Sequence, residues 1–137
     1  VKLLRAAIVY WAMVFALGFV LGTIRVLWVI PLVGLMPATV LELPIILAAS
    51  WFAAGWLVRR FGIASRGEAL AVGVLAFAIL MAAECALAGV LIGQTPAQYL
   101  AGLRQPHALL GLAGQAAFAL MPWWRVRQRA QTAKPNH

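Results

Sequence analysis

Apolar residues in this chain come in long unbroken blocks, neither alternating as in a strand nor striped as on a water-facing helix. The first block runs from about residue 6 to 30 and is interrupted only by Arg25. The second covers about 39–58 and stops at Arg59-Arg60. The third covers about 68–92 and is broken only by Glu84. The fourth, about 106–124, is shorter and contains Gln115. Each approaches the ~20 residues that a helix needs to cross a bilayer, the fourth only marginally. Backbone groups in lipid must be satisfied within the segment or in a closed barrel, and the dyad alternation of a barrel is missing. The pattern therefore predicts an all-α integral membrane protein, a four-transmembrane-helix antiparallel bundle forming one domain over residues 1–137.

Helix-start signals refine these boundaries. Thr39-Val40-Leu41-Glu42 and Ser65-Arg66-Gly67-Glu68 both have the S/T-x-x-E form of a capping box. Thr95-Pro96-Ala97-Gln98 has the related S/T-x-x-Q form, with proline at the first helical position. The third box opens a short interfacial helix, about 96–103, before the fourth span. Pro44 either kinks the second helix or starts it. The polar stretch 125–137 is expected to fray as a cytoplasmic tail. Lys2 and Arg5 precede an apolar run that is too long for a leader and has no cleavage-like site, so the first block is expected to be a span.

The chain is 65% hydrophobic and 10% charged, which leaves too little polar surface for a soluble domain. Its net charge of +8 raises the question of nucleic acid. The cations instead flank apolar blocks, as membrane anchors do, and no soluble face remains to carry a binding patch. If the spans alternate, Lys2, Arg5, Arg59, Arg60, Arg66, Arg125, Arg127, Arg129 and Lys134 fall on one side. Arg104 falls on the other, with Arg25 near it. The positive-inside rule then places both termini in the cytoplasm, and the expected location is the bacterial inner membrane.

Only three acidic residues occur, and two of them lie within or at the edge of apolar blocks. At ~1.5 Å per residue, Arg25 lies roughly 28 Å along span one and Glu84 about 24 Å along span three, while Glu42 stands at the outer start of span two. All three converge on the outer third of the membrane. Arg25 shares a stripe with Gly18 and Gly22, Glu42 with Ala49 and Ala53, and Glu84 with Ala88. Small residues mark the faces where helices approach, so these charges are expected to point inward. Gly89-x-x-x-Gly93 marks another close approach.

Each residue also has a plainer reading. Arg25 could snorkel to the headgroups. Glu42 could simply cap its helix or pair with Arg25. Glu84 has no capping role, and a carboxylate at such a depth costs at least ~2.5–3.5 kcal/mol, so it calls for a partner: Arg25, Arg104 or His107. His107 otherwise reads as interfacial, Gln115 as an interhelical hydrogen-bonding residue and Cys85 as packing. No disulfide framework, metal cluster, haem site or catalytic motif is visible, and no cofactor is expected.

"GFVLGTIRVLWVIPLVG" (18–34), followed by "ELP" (42–44), resembles small bacterial integral membrane proteins with four predicted spans. The resemblance covers the first hairpin best and the second half by hydropathy alone, and it carries over no functional residue. The length is also similar to that of small multidrug transporters. Their acidic residue lies in the middle of the first span, where this chain has Arg25 instead.

Three functions remain. The leading expectation is a non-enzymatic helix-bundle subunit or self-associating membrane protein, partnered by the bilayer and by its own copies or a membrane complex, and not by nucleic acid. The alternative is a small proton- or ion-coupled transporter or channel using Glu84 with Arg25 and Glu42. The third is a membrane enzyme with Glu42 and Glu84 as acid and base.

Overall fold

The computed structural model describes residues 1–132, and all of its regular elements are helical. The first segment comprises α1 (Lys2–Ile24), a π-helical stretch (Arg25–Val29) and α2 (Ile30–Val33). These are followed by α3 (Leu35–Arg60), α4 (Arg66–Ile92), the short α5 (Pro96–Gly102) and α6 (Pro106–Thr132). Three segments are long and apolar enough to cross a membrane: Lys2–Val33, Leu35–Arg60 and Arg66–Ile92. In α6 the apolar run is diluted by His107, Gln115, Pro122 and the arginines that follow.

The long helices form a four-membered ring. α1 packs on α3 and α4, and α6 packs on the other sides of the same two helices. Side-chain spacing explains the seams. Ala69, Val72, Gly73, Ala76 and Leu80 form a buried i, i+3, i+4, i+7, i+11 stripe on α4. Ser50, Ala54, Leu57 and Val58 do the same on α3, and Ala6, Ala7, Tyr10 and Val14 on α1. Small residues set the spacing: a Cβ at Gly73 would strike the Ala119 carbonyl, so α4 and α6 touch backbone to backbone there.

One end of the bundle gathers the cations. Lys2 Nζ lies 3.3 Å from Glu68 Oε2 and donates to the Gly62 carbonyl at 3.4 Å, tying the start of α1 to the α3–α4 turn. That turn is built by Gly62 at φ 62°, the buried Ile63, and Ser65, whose hydroxyl accepts from the Glu68 N–H at 3.1 Å. The buried core lies mostly in this arginine-rich half. Large apolar side chains, including Leu32, Phe52, Val90 and Leu91, stay exposed around the outside, which suits them to lipid and not to water.

Several expected boundaries shift. α3 starts at Leu35, not at about 39, with Gly34 (φ 90°) at its N-terminus and Pro37 within its first turn, where proline is tolerated. Thr39 and Glu42 therefore form no capping box. The Thr39 hydroxyl already has an acceptor, donating back to the Leu35 carbonyl at 2.9 Å. Pro44 sits inside the helix and does not start it. The first span continues past Ile30 to Val33, passing through the π-helical stretch. Pro31 has no N–H for the Leu27 carbonyl, so a shift to the i→i+5 register is the local remedy, and Ile30 N–H bonds to the Arg25 carbonyl. α6 extends to Thr132, so residues 125–132 are helical and not a frayed tail. Lys134 and His137 lie outside the described residues. α5 forms where expected and carries the full capping box: Thr95 Oγ1 accepts from Gln98 N–H at 3.2 Å, and Gln98 Oε1 accepts from Thr95 N–H at 2.9 Å.

Candidate functional site

Beyond the tight core the four long helices line a half-open cavity of about 580 Å³. Its floor is formed by Phe118, whose ring stacks on Tyr10 with centroids 4.3 Å apart. The Tyr10 hydroxyl donates to the Phe118 carbonyl at 2.6 Å, joining α1 to α6 across the ring of helices. Trp11, Phe15 and Phe19 of α1, Leu43 and Ile46 of α3, and Leu80 and Leu87 of α4 make the walls apolar. Gly22 and Gly111 contribute bare backbone, with nothing within 4 Å of where a Cβ would stand.

Arg25, Glu42 and Glu84 all line this cavity, together with Gln115. Arg25 opens the π-helical stretch and places Nη1 2.9 Å from Glu42 Oε2. The two side chains are 31% and 16% exposed, so the pair is sheltered without being sealed. It meets as an ion contact and not as an aligned hydrogen bond. Arg25 Nε, Glu42 Oε2 and the Trp11 indole Nε1 are all buried without a hydrogen-bond partner within the protein. A buried polar group left in this state costs about 1–3 kcal/mol; Arg25 Nε and Glu42 Oε2 stand together at the ion pair, whereas Trp11 lies roughly 21 Å back along the first segment.

Glu84 is held differently. The Tyr99 hydroxyl donates to Oε2 at 2.8 Å, and the Gln115 side-chain amide donates to Oε1 at 2.7 Å. Of the partners expected from sequence, neither Arg104 nor His107 lines the cavity, and Arg25 is taken by Glu42. Geometry gives the reason. Gly93, at φ 69°, ends α4 in the left-handed conformation, and the Thr95 box starts α5 almost at once, so the chain folds back and brings Tyr99 onto the end of α4. Burial, and then the adjacent Glu84, push the Tyr99 hydroxyl above its ordinary range and keep it a donor. Tyr99 was not among the partners that the sequence suggested for Glu84. The left-handed glycine and the adjacent capping box were the signals that could have revealed its role. Gln115 is the interhelical hydrogen-bonding residue that it was expected to be.

A carboxylate offers about four lone-pair positions, and the two donors use one on each oxygen. Glu84 thus keeps acceptor capacity on the cavity wall. Among the described residues no group of three or more His, Cys, Asp and Glu side chains could hold a metal ion. No protein-family model, curated relative or solved structure matches this chain.

Proposed function

We propose that this is a small multi-pass membrane protein that binds a solute between its helices and couples its movement to a proton or ion through Glu84. One observation carries this reading. The charged side chains embedded in the apolar segments, Arg25, Glu42 and Glu84, line a single cavity with mostly apolar walls. Such a site suits an amphipathic molecule whose apolar body lies against Phe15, Phe19 and Leu87, and whose N–H or cationic group reaches Glu84. Arg25, Nε included, and Glu42 shape the polar end.

The membrane placement belongs to the same proposal. Four helices cross the bacterial inner membrane, with both termini and the arginine-rich end on the cytoplasmic side and the cavity in the outer half. Exposed Leu32, Phe52 and Val90 face lipid. The subunit or self-association reading started from small-residue pairs, and it stands as the alternative, because Gly22 and Gly93 have nothing within 4 Å of where a Cβ would stand. A Cβ at Gly18 would meet Ile46, Gly22 lines the cavity, and a Cβ at Gly89 would meet the Gln94 carbonyl. The acid–base enzyme reading is disfavoured because Glu42 is engaged by Arg25.

Reconstituted protein with an imposed pH gradient tests the proposal, using a panel of amphipathic cations as solutes. Flux should be abolished by Glu84→Gln and retained by Glu68→Gln, whose carboxylate lies at the other end of the bundle. Equal flux in the wild type and Glu84→Gln would remove Glu84 as the coupling group.

A further inference from the structure

A second cavity, of about 430 Å³, lies at the arginine-rich end between α3 and α6. It is lined by Gly55 and Arg59 of α3 and by Arg125, Gln128, Arg129 and Gln131 of α6. Its central cation is held in place by two contacts. The Arg125 guanidinium lies 4.6 Å from the centre of the Trp51 ring, and it rests directly against Gly55, where any Cβ would overlap it. Burial, and then the neighbouring Arg59 and Arg129, lower the proton affinity of Arg125, so the cations are crowded together against an electrostatic cost.

Converging guanidinium groups with amide donors beside them match the oxygens of a phosphate. The surroundings indicate what that phosphate is attached to. Phe52 lies on the stripe of Gly55 and Arg59 (i, i+3, i+7), and Trp124 on that of Gln128 and Gln131 (i, i+4, i+7). Both are more than half exposed, at 71% and 53%. Each stands on the apolar side of the cavity, where the acyl chains of a bound lipid would run. We propose that this cavity is a binding site for the phosphate of an anionic phospholipid headgroup, with its acyl chains laid along Phe52 and Trp124.

The test uses full-length protein in a non-ionic detergent, with thermal unfolding and native mass spectrometry as readouts. Phosphatidylglycerol, phosphatidylcholine and inorganic phosphate are added in separate arms. Phosphatidylglycerol should stay bound and raise the unfolding temperature, phosphatidylcholine should do so much less, and inorganic phosphate should have little effect. Arg59→Gln should weaken phosphatidylglycerol binding about tenfold, the loss of roughly one charge-assisted contact. Arg60→Gln removes the same charge one residue away, from a side chain that does not line the cavity, and should leave binding within about twofold. Arg125→Gln should weaken binding at least as much as Arg59→Gln. Should Arg125→Gln fail to fold, the Arg59 and Arg60 comparison still decides. Equal losses in Arg59→Gln and Arg60→Gln would mean diffuse surface attraction and overturn the site. Equal effects of phosphatidylglycerol and phosphatidylcholine would overturn anion selectivity. Stabilisation by inorganic phosphate as large as by phosphatidylglycerol would overturn the lipid as its source.

Discussion

Tyr10 donates its hydroxyl to the carbonyl of Phe118, the acceptor that Pro122 leaves without an intrahelical donor. Residue 122 should bond back to residue 118, but proline has no N–H, so the α6 ladder lacks one rung in the middle of the core. Tyr10 and Pro122 are both fully buried, and the phenol from α1 fills the gap. This contact forms the floor beneath the polar cavity, and it links packing to function.

Tyr10→Phe should therefore destabilise the protein by about 1–2 kcal/mol, because a buried carbonyl loses its donor. Part of that loss should be recovered when Pro122→Ala is added, since residue 122 then supplies the N–H. Unfolding in mixed micelles of the wild type, both single variants and the double variant gives the coupling energy. Additive effects would mean that the two residues do not share the Phe118 carbonyl.

How much of this could be read from the sequence depends on whether the cause is local. Three of the four apolar blocks and the Ser65 and Thr95 starts were legible, because length, hydropathy and a side-chain cap are written within a few residues. The Thr39 start was not. The same threonine hydroxyl can cap a helix or bond back four residues, and Gly34 with Pro37 had already begun α3. Counting residues put Arg25, Glu42 and Glu84 at one level along their helices, and all three line one cavity. Which of them would pair depended on a π-helical stretch and on the return of α5, and neither leaves a periodic trace.

Removing one member of the Arg25–Glu42 pair should cost more than removing both. Arg25→Leu leaves a sheltered carboxylate without its counter-charge, and about 1–3 kcal/mol is expected for a pair that is partly exposed. The variant Arg25→Leu/Glu42→Leu should regain most of that stability while still losing solute binding. Calorimetric binding beside thermal unfolding separates the two effects. A double variant less stable than Arg25→Leu would show that the pair is a net stabiliser.

Tyr99→Phe tests how α5 is held. The hydroxyl is its hydrogen bond to α4, whereas the Thr95–Gln98 capping box lies within α5 itself. Amide exchange over Pro96–Gly102 should accelerate about tenfold on losing about 1–2 kcal/mol of local stability, with exchange in the middle of α4 unchanged. Flux should fall less than in Glu84→Gln, because Gln115 still positions the carboxylate. Uniform acceleration across all the helices would point to global destabilisation instead.

Two glycines of α4 should respond in opposite ways to the same added methyl group. A Cβ at Gly73 meets the Ala119 carbonyl, which belongs to rigid helix backbone and cannot rotate away. Gly73→Ala must force α4 and α6 apart, at a cost of at least about 1–3 kcal/mol, and should open the core beneath the cavity. Gly67 is exposed in the first turn of α4 with nothing within 4 Å of a Cβ, and its φ does not require glycine. Gly67→Ala should stabilise by up to about 0.4–1 kcal/mol through the lost freedom of the unfolded chain. Helix propensity favours alanine at both positions, so only the close approach of α6 separates them. If Gly73→Ala is as stable as Gly67→Ala, α4 and α6 do not meet backbone to backbone at this level. The floor of the cavity would then have to be held by the Tyr10 hydrogen bond and ring stack alone.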